Sequence, residues 1–376
     1  MSTGSLRPAA YVAALDGLRG IAILAVVLHN TVETVAVSHD RLTHYLLAVA
    51  GPGWVGVQLF FVLSGFLIAG ELLDNRAARN YLQAFYARRA LRILPLYYCT
   101  LLLVLLVALL TGAASVVHDL TADSWRLWLF LDNYRWAPPF GFEHFWSLAV
   151  EAQFYALIPW IVRRTRAPQL LTVCICTAVA VLLFRTLCAL MGCSWWAIYS
   201  GTLFRLDALA LGAAGACLVR IESTSAILPR HGTAAVVVAS LMLLCGAFIT
   251  HSYDFSTLAC ETYGYSLVAV ACALVVGSVG APAAAGERRP SPWGRWLSVL
   301  PLRLIGRYSF GIYVFHGLLN KLIGAPLVRH LLATPMRGGA VIAYAVSILA
   351  ASVVLAAPSY EFFESAFLRL KPRFRY

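Results

Sequence analysis

An arginine and a histidine, Arg19 and His29, stand ten positions apart in the otherwise apolar segment LDGLRGIAILAVVLHN, Leu15 to Asn30. On a helix rising about 1.5 Å per residue, the imidazole lies roughly 15 Å deeper than the guanidinium, near the middle of a ~30 Å hydrocarbon layer when Arg19 sits at its edge. An ionisable group at that depth costs several kcal/mol unless a partner, a substrate or water compensates, so it reads as functional. An imidazole takes and returns a proton near neutral pH, which makes His29 a candidate general base; transient nucleophilic attack is the alternative use of the same ring.

Other groups of this kind recur along the chain. Glu151, in HFWSLAVEAQFY, is a carboxylate inside an apolar span and must be neutral, paired or facing a polar cavity. It is expected to orient His29 or to pair with an arginine, and it joins His29 and Arg19 in the expected catalytic set. His316 lies nine residues beyond Arg307, again at mid-depth, and suits substrate binding or proton relay. Asp16 precedes Arg19 by three residues, the spacing of a local ion pair at the mouth of the site or of a second substrate contact. Arg88, Arg89 and Arg92, ahead of Pro95, offer guanidinium forks that match phosphate geometry, as an anionic cofactor requires. Arg185 is expected to answer the buried charges of Arg205 or Asp207. Ser64 lacks the GxSxG surroundings of a nucleophile elbow.

These residues must be positioned by membrane-spanning helices. Hydrophobic residues make up 61% of the 376 and charged residues 12%, which excludes an ordinary soluble globule and a disordered chain. The net charge of +12 sits in short connections rather than on one face, which argues against nucleic acid as a partner. Nine cysteines without a CxxC pair point away from a metal site. The leader MSTGSLRP runs into the first apolar span with no small-residue cleavage site, so that span is expected to stay in the membrane.

Apolar runs predict an all-α bundle of about ten transmembrane helices, near 11–36, 54–74, 93–112, 144–162, 170–190, 199–219, 232–250, 257–279, 302–322 and 338–363. The bundle forms a single domain over 1–376 and ends in a short basic tail, 366–376. Arginines concentrate in alternate connections, which by the positive-inside rule places both termini in the cytoplasm and the chain in the cell's inner membrane. The longest outer segment, 113–143, is rich in aromatics and reads as an interfacial belt or as a gate for a polar acceptor. Gly56, Gly65 and Gly70 mark places where helices approach closely. No internal repeat is visible, which weakens the competing reading of a transporter or flippase for a glycan or lipid precursor.

Five motifs, in this order, resemble the acyltransferase 3 family of membrane O-acyltransferases that modify O-antigens, exopolysaccharides and macrolides. They are LDGLRGIAILAVVLH (Leu15 to His29), GVQLFFVLSGFLIAGEL (Gly56 to Leu72), RRALRILPLYY (Arg88 to Tyr98), HFWSLAVEAQFYALIP (His144 to Pro159), and YSFGIYVFHGLL (Tyr308 to Leu319) with SYEFFESAFLRLK (Ser359 to Lys371). The resemblance implies a ten-helix bundle and transfer of a short acyl group, such as acetyl, from acyl-CoA to a hydroxyl of a sugar, glycan or lipid-linked acceptor. It implies no permanently bound cofactor, a cytoplasmic route for the donor, and a catalytic role for the intramembrane histidine. Relatives of this type place ten residues between the arginine and the histidine, whereas nine separate Arg19 from His29 here, and Asn30 fills the slot eleven steps on. Ten steps of about 100° leave His29 some 80° from the Arg19 face, which Asn30 shares.

Overall fold

A computed structural model describes residues 13–35, 40–121, 124–134, 141–225, 227–250, 253–284, 292–326, 328 and 338–376. Parts of the outer segment singled out above, 122–123 and 135–140, and the leader at 1–12 lie outside the described residues. Among those described, all regular structure is helical.

The first helix, α1 (Ala13–Val35), carries Asp16 in its first turn, where a carboxylate complements the unpaired N–H groups. A tight turn with Pro52 near its start leads into α2 (Val55–Asp74). The next helix, α3 (Tyr81–Thr111), continues through Pro95 and stops at Gly112, whose φ of 69° is left-handed and suits glycine. The arginines 88, 89 and 92 therefore project from a long helix that starts at Tyr81, not from a connection ending near residue 93. Beyond it come α4 (Trp146–Arg164), α5 (Ala167–Leu190), α6 (Leu206–Leu218), α7 (Ile227–Ile249) and α8 (Tyr265–Ala284). The chain then forms α9 (Leu300–Arg307), α10 (Ser309–Leu318) and α11 (Gly338–Pro358).

Eight helical stretches among the described residues are long and apolar enough to cross a membrane. The two other expected spans are interrupted. Near 199–219 the thirteen-residue α6 follows the turn at Thr202–Phe204, and near 302–322 Tyr308 separates α9 from α10 before a π-helical turn at Leu319–Gly324. Large apolar side chains cover the exposed faces, among them Leu106 and Leu110 on α3, Leu244 and Phe248 on α7, and Val354 on α11. Arg185, Arg205, Asp207 and His316 are at most 1% exposed. Charge inside and hydrocarbon outside is the arrangement of a multi-pass membrane protein.

Small residues set the tightest crossings. A Cβ on Gly65 of α2 would collide with the Leu209 carbonyl of α6, and one on Gly212 of α6 with the Val62 carbonyl of α2. Backbones in this contact pack without intervening side chains, as small-residue membrane interfaces do. Gly212→Val is expected to push the pair apart, with an overpacking cost of about 1–3 kcal/mol or more and a sharp fall in monodisperse protein recovered in detergent.

Candidate active site

A cleft opens between α1, α2, α3, α4 and α10. At one end it is lined by Arg19, Arg89 and Arg92, along its length by Ser64, Glu151 and Tyr155, and at its far end by Ser147 and Tyr313, with Phe60, Phe61 and Ile93 among its apolar walls. Each polar side chain follows from helix periodicity. Glu151 and Tyr155 are four residues apart on α4 and share a face, and the Tyr155 hydroxyl donates to Glu151 Oε2 at 2.8 Å. Ser64, on α2 opposite, donates to Glu151 Oε1 at 2.7 Å. The carboxylate thus binds two hydroxyls rather than His29, and no arginine forms an ion pair with it among the described residues.

The arginine end is unequal in its commitments. Arg19 pairs with Asp16 at 3.0 Å, the local ion pair anticipated from their spacing. Arg88 and Arg89 both reach Glu71 of α2, Arg88 at 3.4 Å and Arg89 more closely. Tyr376 completes that knot, its hydroxyl donating to Glu71 at 3.2 Å and its ring lying 5.4 Å from the Arg88 guanidinium carbon, while the Arg375 carbonyl accepts from Asn80. Arg92 has no ion pair within 4 Å among the described residues. Of the three, it is the cation left for an anionic ligand.

His29 and Asn30 point to different places. His29 Nδ1 lies 3.3 Å from the Ala50 carbonyl and 3.4 Å from Glu33, and its ring meets the edge of Phe255 with centres 6.0 Å apart. The ring does not line the cleft. Asn30 faces the bundle interior, where its Nδ2 lies 2.9 Å from His316 Nε2. His316 Nδ1 lies 2.7 Å from the Tyr313 carbonyl, and a carbonyl only accepts. The network therefore assigns the proton to Nδ1 and leaves Nε2 as the acceptor of the Asn30 amide. The eleven-step alignment with Arg19 belongs to Asn30, as helix geometry requires.

Several contributors are long-range and left little trace in the sequence. Tyr313 and Ser147 share a 2.6 Å hydrogen bond at the far end of the cleft. His144 packs against His316 with ring centres 4.9 Å apart. Asn320, in the π-helical turn, donates to the Asn30 carbonyl at 3.0 Å and to Thr34 at 2.9 Å.

Three further buried charges, Arg185, Asp207 and Arg205, lie outside the cleft lining. Arg185 and Asp207 form a 2.9 Å ion pair with both side chains fully buried, which is the pairing expected of Arg185. Arg205 donates from Nε to the Tyr199 carbonyl at 2.6 Å and lies among Trp54, Trp146, Tyr199 and Tyr265, the last at 3.9 Å. Cation–π attraction of about 2 kcal/mol at such desolvated sites offsets part of the cost of burying it.

The described part of the outer segment docks onto the helices. Tyr97 and Tyr98 of α3 donate to the Leu127 and Trp128 carbonyls at 2.7 and 2.8 Å. Asp132 is 1% exposed, and neither of its oxygens has a well-formed hydrogen bond beyond its own residue among the described residues. Burial pushes its carboxyl up to about 7 from an ordinary 3.8. The folded chain then holds a proton there that the unfolded chain releases, so stability falls as pH rises from about 4 to 7, by at most on the order of 4 kcal/mol, and stays reduced above. Asp132→Asn removes that fall. Melting at pH 4.5 and pH 8 checks it: the native protein is expected to melt lower at pH 8, the variant at nearly equal temperatures.

Comparison with known proteins gives a family match over most of the chain. The family profile described as an acyltransferase domain matches residues 12–358. The peptidoglycan O-acetyltransferase OatA of Listeria monocytogenes is 27% identical over 331 residues, 81% of this chain and 49% of that protein. The O-acetyltransferase OatA of Staphylococcus aureus is 24% identical over 329 residues, 81% of this chain and 50% of that protein. The chain therefore spans about half the length of these curated relatives. No solved structure matches it.

Proposed function

The chain belongs to the acyltransferase 3 family, and from that premise we propose that it is a membrane O-acyltransferase that moves a short acyl group, such as acetyl, from acyl-CoA to a glycan hydroxyl. Its relatives bear names that specify acetyl as the group and, in one case, peptidoglycan as the acceptor. The observation that carries the reading is the cleft, with arginines at one end and hydroxyl and carboxylate groups along an otherwise apolar channel. CoA presents phosphates at one end and a slim pantetheine arm that carries the thioester at the other. Arg92, with Arg19 and Arg89 beside it, meets the phosphates; Ser64, Glu151 and Tyr155 meet the arm's amides; and the acyl carbon arrives near Ser147 and Tyr313. A buried imidazole of the bundle takes the hydroxyl proton of the acceptor. The donor comes from the cytoplasm, where both chain termini also lie, in the inner membrane of the cell; no cofactor is held permanently.

The test is release of free CoA from acetyl-CoA by the purified protein in nanodiscs, with and without soluble peptidoglycan fragments. Native activity with an acetyl-CoA KM that rises at least tenfold in Arg92→Ala supports the reading. Absence of release from acetyl-, propionyl- and butyryl-CoA overturns it in favour of a transporter or flippase.

A further inference from the structure

Ser147, Glu151 and Tyr155 recur every four residues on α4 and form one polar stripe along the cleft wall, with Ser147 at the end farthest from the arginines. Ile68 and Val57 of α2 line the same cleft, so it runs about 16 Å along that helix, the scale of an extended pantetheine arm. The hydroxyl hydrogens along this wall are committed differently. Ser64 and Tyr155 both spend theirs on the Glu151 carboxylate. At the floor, the Tyr313 hydroxyl has one hydrogen and two acceptors at 2.6 Å, the His144 main-chain carbonyl and Ser147 Oγ. A carbonyl only accepts, so two hydrogen arrangements fit the same heavy atoms. In the first, Tyr313 donates to the carbonyl and Ser147 donates to Tyr313. In the second, Tyr313 donates to Ser147, and the serine hydrogen is free to turn into the cleft that the residue lines. The second arrangement strands nothing, because the His144 carbonyl still accepts from the Trp146 N–H.

We propose that Ser147 donates that hydrogen to the carbonyl oxygen of the donor's thioester and stabilises the negative charge that gathers there during transfer, with Tyr313 as the positioning residue that holds the serine hydroxyl. The proposal rests on the acyl-CoA reading above. In the step it serves, the acceptor hydroxyl oxygen attacks the thioester carbonyl carbon, a C–O bond forms, and the C=O electron pair moves onto the oxygen that faces Ser147. The pair then returns, the C–S bond breaks, and the sulfur takes the proton that the acceptor gave up, leaving an ester and free CoA thiol. Ser147 gains and loses no atom. Its hydrogen turns from Tyr313 Oη to the oxyanion, while Tyr313 turns its own to Ser147 Oγ and so strengthens the serine as a donor. Val57 and Phe61 wall the same end of the cleft, and in such apolar surroundings a hydrogen bond to a developing charge is stronger than in water. An interaction of this kind, realised in the transition state, raises kcat and leaves the binding of acetyl-CoA almost untouched.

The experiment uses the whole protein in nanodiscs with acetyl-CoA as donor and a soluble N-acetylglucosamine oligosaccharide as acceptor, following CoA release. A second readout, taken without acceptor, is the infrared carbonyl stretch of bound, isotope-labelled acetyl-CoA. Ser147→Ala is expected to lose a factor of about 100–1,000 in kcat with its acetyl-CoA KM within about threefold of native. The carbonyl stretch is expected at a higher frequency in Ser147→Ala than in the native protein, because its hydrogen bond is gone. Ser147→Cys, a weak donor of nearly the same size, is expected to lose at least about tenfold in kcat, and it answers the question if the alanine variant does not fold. Tyr313→Phe leaves the serine its hydrogen and is expected to stay within about tenfold of native. Retention of more than a tenth of native kcat by Ser147→Ala, or of more than half by Ser147→Cys, overturns the assignment. Equal stretch frequencies in the native and Ser147→Ala proteins overturn it, and so does a larger loss in Tyr313→Phe than in Ser147→Ala. Acetyl found covalently on Ser147 after incubation without acceptor makes the serine a nucleophile and overturns it too. Failure of the native chain to release CoA from any acyl-CoA overturns the acyltransferase reading itself, a result separable from all of these.

Discussion

Truncating Arg185 to alanine will destabilise the folded protein by about 3–5 kcal/mol, the usual effect of leaving one partner of a buried ion pair alone. Asp207, fully buried, would keep its charge with only the Ser266 hydroxyl, at 2.6 Å, and its neighbouring Ala208 N–H to satisfy it. Arg185 does more than neutralise it. Its Nη1 also donates to the Phe204 carbonyl at 2.7 Å, its Nε to the Glu261 carbonyl at 2.9 Å and its Nη2 to Ser266 at 2.6 Å, tying α5 to the start of α6 and to the turn before α8. Paired replacement, Arg185→Met with Asp207→Leu, removes both charges and is expected to recover part of the loss but not the share owed to the orphaned carbonyls. Thermal melting in detergent decides it: Arg185→Ala melting within about 2 °C of native would mean that the pair contributes nothing.

The second large effect concerns Glu151. A hydrogen bond of this kind contributes about 0.5–1.5 kcal/mol, stranding a buried partner costs about 1–3 kcal/mol, and Glu151 accepts two. Glu151→Ala strands the Ser64 and Tyr155 hydroxyls and frees both to turn into the cleft where the donor's arm would run. We expect kcat/KM for acetyl-CoA to fall by about 10²–10⁴ in Glu151→Ala, and by only about tenfold in Glu151→Gln, which keeps one acceptor oxygen and the side-chain volume. Equal losses in the two variants would show that charge rather than hydrogen bonding matters at this position. Melting curves of both separate a lost site from a lost fold.

The fold was legible wherever an apolar run was long and unbroken, because hydropathy reports burial in lipid directly. It was less legible where a span is interrupted, as at Tyr308, since a broken helix and a continuous one have the same composition. The start of α3 was hidden by its arginines. Charges read as a connection in one dimension, yet on the helix they turn toward Glu71 and the cleft. Arg19 and Glu151 could be singled out because ionisable residues are rare in lipid. Ser147, Tyr313 and His144 could not, because serine and tyrosine are unremarkable in a helix and a histidine at the very start of a span costs little, so that all three acquire meaning only through partners far away in sequence. The spacing of Arg19, His29 and Asn30 carried real geometric information: the one-residue offset turns His29 toward Ala50 and gives Asn30 the inward face.

The knot of Glu71, Arg88, Arg89 and Tyr376 acts as a cover over two cations. Removing the ring in Tyr376→Ala takes one donor from Glu71 and bares the face of Arg88, leaving the two arginines more open to polyanions such as nucleotides. Such a protein is expected to show raised background binding of CoA and ATP alike, a loss of discrimination rather than a gain of affinity for one ligand.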